Sequence, residues 1–307
     1  MSRLVSSPGL TLGSIPSPSD GVLRLGPLSI HAYGACIALG VLAAIAMASR
    51  RWQRRGGNAE DIVKVATWAV PAGVIGARLY HVATDWRSYQ GHWSDAVTKI
   101  GKGGLGIWGG VALGTIVGVW VGRRRGLSLA TLMDVSAPAI PLAQAIGRWG
   151  NWWNQELFGR PTKLPWGLTI DPNNRPAGYA DFSTFHPTFL YESLWNLVIV
   201  GVLLVVERRF RVRPGRLFAL YVTLYTFGRF FIERVRIDNA THVGGLRINE
   251  IVSAVVFVVA LGVLLIPSRK AKPLTGAAAR ASNAAPSAGG EAGPVSDRAV
   301  DPRKGGG

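Results

Sequence analysis

The sequence predicts an all-α integral membrane protein with about seven transmembrane helices, an N-terminus outside and a C-terminus in the cytoplasm. The chain of 307 residues is 48% hydrophobic, and its mean hydropathy is +0.23. Its apolar residues are grouped in runs of about 20, the length that spans a bilayer. The charged residues, with a formal net charge of +17, lie in short clusters between these runs. This distribution argues against a nucleic-acid partner, and the single cysteine excludes an internal disulfide.

The spans and their orientation follow from the apolar runs and the basic clusters. We predict spans at about 28–48, 62–82, 104–121, 130–147, 187–206, 216–233 and 248–266. Clusters of arginine and lysine follow the first, third, fifth and seventh spans, at 50–55, 123–125, 208–216 and 269–272. Because basic loops remain in the cytoplasm, every second loop is predicted to be cytoplasmic.

This orientation divides the chain into three parts. Residues 1–27 form an N-terminal extracytoplasmic segment without the features of a typical secretory signal. Residues 28–266 form the membrane domain, with an extracytoplasmic loop at about 148–186. Residues 267–307 are rich in Ala, Pro, Ser and Gly, so we expect a disordered cytoplasmic tail.

All seven predicted spans bring polar residues or glycines to the predicted outer face. In chain order these are Tyr33, Arg78, Gly106–Gly110, Arg148 and Asn151, His186, Tyr191 and Glu192, Arg229 and Glu233, and Asn249 and Glu250. The densest cluster is the segment 147–159, where the fourth span ends. Charged groups are costly at a membrane boundary, and their default interpretation is a functional site. The pattern predicts a pocket for an anionic ligand at the outer leaflet.

The third span carries a stripe of small residues. Its glycines recur every four residues, at Gly106, Gly110, Gly114, Gly118 and Gly122. This continued G-x-x-x-G pattern predicts close packing against another helix. The overlapping match to G-x-G-x-x-G follows no strand, so it does not indicate a dinucleotide site.

The segment after the fourth span carries a recognisable motif. It reads Gly147-Arg148-x-Gly150-Asn151-x-x-Asn154-x-Glu156-x-x-Gly159-x-x-Thr162, and it closely resembles the signature of the bacterial prolipoprotein diacylglyceryl transferases. Four other segments are similar to motifs of that family: Ala32-Tyr33-Gly34, Gly76-Ala77-Arg78-Leu79-Tyr80, His186-Pro187-x-x-x-Leu190-Tyr191-Glu192 and Gly228-Arg229-Phe230-x-x-Glu233-x-x-Arg236-x-Asp238. The resemblance covers about residues 28–266 and leaves out both termini.

The resemblance implies a reaction, its partners and a location. The family transfers the diacylglyceryl group of phosphatidylglycerol to the lipobox cysteine of a preprolipoprotein signal peptide. The products are a thioether-linked diacylglyceryl protein and glycerol 1-phosphate. The implied location is the bacterial cytoplasmic membrane, with the active site facing the outer leaflet. No metal and no soluble cofactor are implied.

The candidate residues suit this chemistry. Charge grows on the leaving phosphate, and an arginine fork stabilises it, so Arg148 and Arg229 are the first catalytic candidates. Glu156 and Glu233 can hold the arginines in place, or one of them can help to deprotonate the thiol. The residues predicted to bind phosphatidylglycerol are Tyr33, Arg78, Arg148, Asn151, Asn154, Gly159, His186, Tyr191 and Arg236.

Several of these residues have a structural interpretation as well. Glu233 and Arg236 are three apart on a helix and can form a simple ion pair. Arg78 can be an interfacial anchor, and the nearby tryptophans are typical of an interfacial belt. A membrane transporter and a non-catalytic protein that binds anionic lipids are the alternative functions.

One position departs from the family pattern. Many relatives carry a histidine before the paired glycines of the third span, and here that residue is Trp108. His186 is a candidate base by location only. Our hypothesis is that no histidine is essential for turnover.

Overall fold

The computed structural model describes residues 13–18, 20–25, 28–95, 104 and 106–266, and this part of the chain is mostly helical. Its helices are α1 Ala32–Arg54, α2 Ala59–Thr84, α3 Ile107–Arg124, α4 Leu129–Ser136, α5 Ala139–Gly147, α6 Trp149–Asn154, α7 Thr188–Arg209, α8 Arg216–Val235 and α9 Ile248–Leu265. Three short antiparallel hairpins pair β1 Val22–Leu25 with β2 Leu28–His31, β3 Leu168–Thr169 with β4 Thr184–Phe185, and β5 His242–Val243 with β6 Leu246–Arg247.

Four of these helices, α1, α2, α7 and α9, are long and apolar enough to cross a membrane. A fifth candidate span is the broken helix formed by Leu129–Ser136 and Ala139–Asn154, which bends by 43°. Helices α3 and α8 lie where the third and sixth spans are predicted. However, neither is among the described helices that are long and apolar enough to cross a membrane, and α8 carries four charged residues. The number of seven spans therefore stays a prediction.

The predicted boundaries need one correction. The first span was expected to begin at about residue 28, but Leu28–His31 is strand β2 and the helix begins at Ala32. Strand β2 pairs with β1, so its backbone hydrogen bonds are made across a hairpin. The predicted tail at 267–307 and the first 12 residues of the predicted N-terminal segment lie outside the described residues.

Helices α2 and α3 pack through their glycines. A Cβ atom at Gly110 or Gly114 would lie 3.2 Å from a backbone oxygen of α2. The closest approach is at Gly109 and Gly76, where a Cβ on either residue would lie within 2.3 Å of the other's carbonyl oxygen. The glycine stripe is therefore confirmed as a packing surface for this helix pair. At its far end Gly122 faces Leu132 of α4 instead.

Two apolar clusters hold the elements that carry the candidate site. Ile199, Leu203 and Leu217 pack α7 and α8 against the break between α4 and α5. Phe158 and Phe185 pack with their ring centroids 4.8 Å apart, in a cluster that also contains Phe189 from the first turn of α7. These contacts fasten the 148–186 loop to the end of the helix bundle where α7 begins.

Candidate active site

The ends of α5, α7 and α8 meet at a buried carboxylate. Glu192, in the second turn of α7, has a side chain that is only 4% exposed. Its Oε2 lies 2.6 Å from Nη2 of Arg148, and its Oε1 lies 3.2 Å from Nη1 of Arg229. Nη1 of Arg236 approaches the same Oε1 at 4.0 Å. A buried carboxylate that faces three guanidinium groups fixes their positions relative to one another.

A second buried carboxylate, Glu233, lies beside the first. Its side chain is fully buried, and its Oε2 lies 2.7 Å from Nη2 of Arg229, four residues earlier on α8. Oε1 lies 2.9 Å from Nε of Arg247 and accepts a hydrogen bond of 3.2 Å from the Asn249 amide. The contacts with Arg229 and Arg247 are short but not aligned as hydrogen bonds, so charge attraction dominates there. We call Glu192, Glu233, Arg148, Arg229, Arg236 and Arg247 the arginine–glutamate cluster.

Arg247 attaches the last hairpin to this cluster. It is 8% exposed, and its Nη1 and Nη2 donate hydrogen bonds of 2.9 Å to the carbonyl oxygens of Arg236 and Asp238. Burial favours the neutral form of Asp238, but the hydrogen bond from Arg236 and the charges of Arg236 and Arg247 outweigh it, so its pKa is lowered. The backbone N–H of Arg247 also donates to the Glu250 side chain at 2.9 Å, which caps the start of α9.

The signature segment presents polar groups from α6 and the turn after it. The Asn151 amide donates a hydrogen bond of 2.7 Å to Glu156 and accepts one of 3.3 Å from Arg148. Glu156 folds back towards α6 because Gln155 and Leu157 adopt left-handed conformations, with φ of 50° and 58°. Residues other than glycine rarely adopt such angles, and they persist only where the surroundings hold them. Here the Gln155 side chain supplies part of that support, since it donates to the Pro18 carbonyl and accepts from the Asp171 N–H.

Tyr33 joins this part of the site. Its hydroxyl contacts Asn151 and lies near Arg148 and Glu156. The ring packs against Gly150. A Cβ atom at residue 150 would lie 2.6 Å from the ring, so the tyrosine fits because this residue is glycine. The predicted set of Tyr33, Arg148, Asn151 and Glu156 is therefore brought together.

Other predicted residues have different surroundings. Asn154 is exposed at the end of α6. Gly159 is buried, and a Cβ there would lie 2.8 Å from both His186 and Val235. It allows two backbone segments to approach, and its N–H donates to the His186 carbonyl at 2.9 Å.

Arg78 is buried near the connection between α2 and α3. It donates hydrogen bonds of 3.0 Å to the Gly104 carbonyl and 2.8 Å to the Asp95 carbonyl, and it lies over the ring of Tyr89. These contacts show Arg78 fastening the connection after α2. Its predicted role in lipid binding stays a prediction.

His186 and Tyr191 form a short hydrogen-bonded chain. Trp166 Nε1 donates to the Tyr191 hydroxyl at 3.1 Å, and that hydroxyl lies 3.0 Å from Nδ1 of His186. Because the Tyr191 hydroxyl oxygen accepts the hydrogen bond from Trp166, its own proton can be donated to Nδ1 of His186. Partial burial lowers the pKa of His186 below its ordinary value, so the neutral ring predominates at neutral pH.

From the sequence, Glu192 was placed at the predicted outer face without a role in the site, and Arg247 was not singled out. Glu192 lies inside a predicted span, and a carboxylate there signals function, but its partners are 37 to 44 residues away. Arg247 precedes the last predicted span and resembles an interfacial arginine. The expected pairing of Arg236 with Glu233 is replaced by a 2.7 Å contact between Arg236 and Asp238. In the described part of the chain, no group of three His, Cys, Asp or Glu residues is arranged to hold a metal.

Residues 20–266 match the family model described as Prolipoprotein diacylglyceryl transferase. The chain belongs to this family. It is 52% identical over 264 residues to phosphatidylglycerol–prolipoprotein diacylglyceryl transferase 2 of Streptomyces coelicolor, which is 85% of this chain and 83% of that protein. It is 52% identical over 261 residues to the Cutibacterium acnes enzyme, covering 84% of this chain and 88% of that protein. With the Mycobacteroides abscessus enzyme it shares 48% identity over 283 residues, or 87% and 82% of the two chains.

In this member of the prolipoprotein diacylglyceryl transferase family, Trp108 lies at the start of α3. Its side chain is 61% exposed, while the adjacent Gly109 packs tightly on Gly76. The glycine makes the helix contact at this position, and the tryptophan points away from the packed interior.

Proposed function

We propose that this protein transfers the diacylglyceryl group of phosphatidylglycerol to the lipobox cysteine in the signal peptide of preprolipoproteins. One observation carries the proposal: buried Glu192 holds Arg148 and Arg229 side by side at one end of the helix bundle. The names of relatives that match more than four-fifths of the chain supply the substrates. Two adjacent guanidinium groups are suited to bind a phosphodiester and its product.

Exposure separates the arginines of the cluster into two roles. The side chains of Arg148 and Arg229 are 22% and 15% exposed, whereas those of Arg236 and Arg247 are 6% and 9% exposed. The first two can therefore reach a bound lipid phosphate with N–H groups that Glu192 does not use. We assign positioning roles to Arg236 and Arg247 because both are nearly buried. Arg247 donates from Nη1 and Nη2 to backbone carbonyl oxygens, and Arg236 donates from Nε to Asp238.

The reaction forms one bond and breaks another. The cysteine sulfur attacks the phosphate-bearing carbon of the diacylglyceryl group, a C–S bond forms, and the bond between that carbon and the phosphate oxygen breaks. The electron pair of that bond leaves with glycerol 1-phosphate, where Arg148 and Arg229 stabilise the added charge. Glu233 is fully buried and is assigned a positioning role through Arg229. Glu156, which is partly exposed beside Asn151, is the carboxylate placed to accept the thiol proton.

The proposal includes a topology and a location. Seven spans with the arginine–glutamate cluster at the outer leaflet would leave the basic segments 50–55, 123–125 and 208–213 in the cytoplasm. The helices support this arrangement, because α1 begins near the cluster and ends in that basic region, and α8 runs the other way. The membrane would be the bacterial cytoplasmic membrane.

The test uses the purified full-length protein with phosphatidylglycerol and a lipobox peptide. We expect release of glycerol phosphate together with a gain in peptide mass equal to one diacylglyceryl group. A matched peptide with serine in place of the cysteine should give neither product. A folded preparation that binds phosphatidylglycerol but yields no thiol-dependent product would refute the proposal and favour a transporter or a lipid-binding protein.

A further inference from the structure

A second charged region lies at the opposite end of the helix bundle from the arginine–glutamate cluster. A cavity of about 470 Å³ opens there, and its charged lining residues are Arg51, Arg54, Arg55, Asp134, Glu207 and Arg208. Helix α1 connects the two regions, from Tyr33 at the candidate active site to Arg51 at the cavity. At a rise of about 1.5 Å per residue the two are about 27 Å apart, close to the thickness of a hydrocarbon core.

The two carboxylates of this cavity are already used by the protein. Glu207 lies 2.7 Å from Nη2 of Arg51 and 2.7 Å from Nη2 of Arg55. Asp134 accepts hydrogen bonds from the backbone N–H groups of Gly215, at 2.7 Å, and Phe218, at 3.2 Å, and so holds the start of α8. Neither acid is left to neutralise a further arginine.

The cavity therefore keeps an excess of positive charge. Four guanidinium groups face two carboxylates, so the cavity lining has a formal net charge of +2. Within the described ranges, Arg54 and Arg208 are exposed at the rim and have no acidic partner. Arg51, in contrast, is 4% exposed and is held by Glu207 and by the Asp134 carbonyl oxygen at 2.8 Å. A fixed guanidinium behind two unpaired ones is a preorganised site for an anion with several oxygen atoms.

One wall of the same cavity is apolar. Leu204, Val212, Pro214 and Leu217 line it beside the arginines. A free inorganic anion gains nothing from such a wall, whereas a phosphate attached to glycerol and acyl chains would cover it. The wall therefore favours a phospholipid over a soluble phosphate.

We propose that this cavity binds the phosphate headgroup of an anionic phospholipid, separate from the lipid that is consumed at the arginine–glutamate cluster. With the proposed topology, the bound lipid belongs to the inner leaflet. It bridges α1, α4, α7 and the start of α8, since each contributes to the lining. The assignment does not depend on diacylglyceryl transfer, because no cavity-lining residue belongs to the candidate active site.

The test locates bound lipid on the full-length protein in lipid nanodiscs. Phosphatidylglycerol with a photoreactive group near its glycerol backbone is cross-linked, and the modified peptides are mapped by mass spectrometry. We expect labelled peptides from the lining segments at 204–217 and 51–55. Cross-linking at these peptides should fall about tenfold or more in the double variant Arg54→Gln with Arg208→Gln, because each arginine contributes a charge-assisted contact.

The matched control is Arg50→Gln with Arg209→Gln. These two exposed arginines lie four residues before Arg54 on α1 and one residue after Arg208 on α7, and neither lines the cavity. The control should label like the wild type, and equal labelling of all three proteins at 51–55 and 204–217 would overturn the proposal. A further arm adds inorganic phosphate or glycerol 1-phosphate at millimolar concentration. Labelling should persist at that concentration, and its loss would overturn the lipid assignment in favour of a soluble phosphate ligand.

Discussion

Replacing Glu192 by glutamine tests whether this carboxylate organises the active site. The amide keeps the size of the side chain but loses the charge that attracts Arg148 at 2.6 Å and Arg229 at 3.2 Å. A hydrogen bond between charged groups contributes about 1.5–3 kcal/mol. The amide oxygen can retain one contact, so we expect a net loss of about 3 kcal/mol, within the range measured for breaking a buried ion pair. If that loss falls on the transition state, kcat/KM decreases about a hundredfold.

The assay measures thiol-dependent glycerol phosphate release beside thermal unfolding in the same detergent. The control is Asp61→Asn, another change from acid to amide, which removes the 3.0 Å pair with Arg125 at the opposite end of the bundle. The control should lose about 1 kcal/mol of stability or less and should keep its turnover. The reasoning fails if Glu192→Gln keeps kcat/KM within about threefold of wild type, or if Asp61→Asn loses as much activity.

Four other predictions concern the same end of the molecule. Arg148→Lys and Arg229→Lys keep the charge but lose the fork, so each should reduce kcat at least tenfold with normal membrane insertion; near wild-type rates in both would refute the fork argument. Arg247→Gln removes the 2.9 Å partner of Glu233 and should reduce kcat more than it raises KM, with partial recovery in Arg247→Lys; a pure KM effect in kinetic assays would contradict the positioning role. His186→Ala should keep turnover, and loss of activity in a folded, lipid-binding variant would refute the hypothesis that no histidine is essential. Burial lowers the pKa of His186 below its ordinary value of 6.5, so the unfolded chain binds more protons than the folded protein as pH falls through that value. The free energy of unfolding should therefore decrease below about pH 6.5, and it should decrease less in the alanine variant. Unfolding measured as a function of pH would show the difference.

The helices were predictable because the length and hydropathy of a span can be read from consecutive residues. All seven predicted spans overlap helices, and the glycine stripe of α3 packs on α2 as expected. The break in the fourth span was not predicted, although Pro138 lies between its two parts and cannot donate a backbone hydrogen bond. The hairpin that replaces the first residues of span one was also missed, since Leu28 and Ile30 were counted with the apolar run of the helix that follows.

The candidate site was predictable only in part, because its geometry depends on contacts between distant residues. Arg148 and Arg229 were identified from their chemistry, and Asn151 and Glu156 from a motif within one short segment. Glu192 holds arginines from two other helices, and no local pattern in the sequence indicates which guanidinium group a carboxylate will meet. The packing role of Gly159 was not predicted for a similar reason, because the segments that approach it, at His186 and Val235, are distant in sequence; its role in lipid binding stays a prediction.

The direction in which charge moves during the reaction is the reason for assigning the accessible arginines to the phosphate. Before attack, one negative charge is on the thiolate and one is on the phosphodiester. After attack the sulfur is neutral and the released phosphate monoester carries both. Arg148 and Arg229 are held on Glu192 without substrate. In the proposed mechanism they face the group whose charge increases and need not reorganise during the step. Their attraction is then stronger in the transition state than for the bound substrate, which is the condition for an interaction to raise the rate.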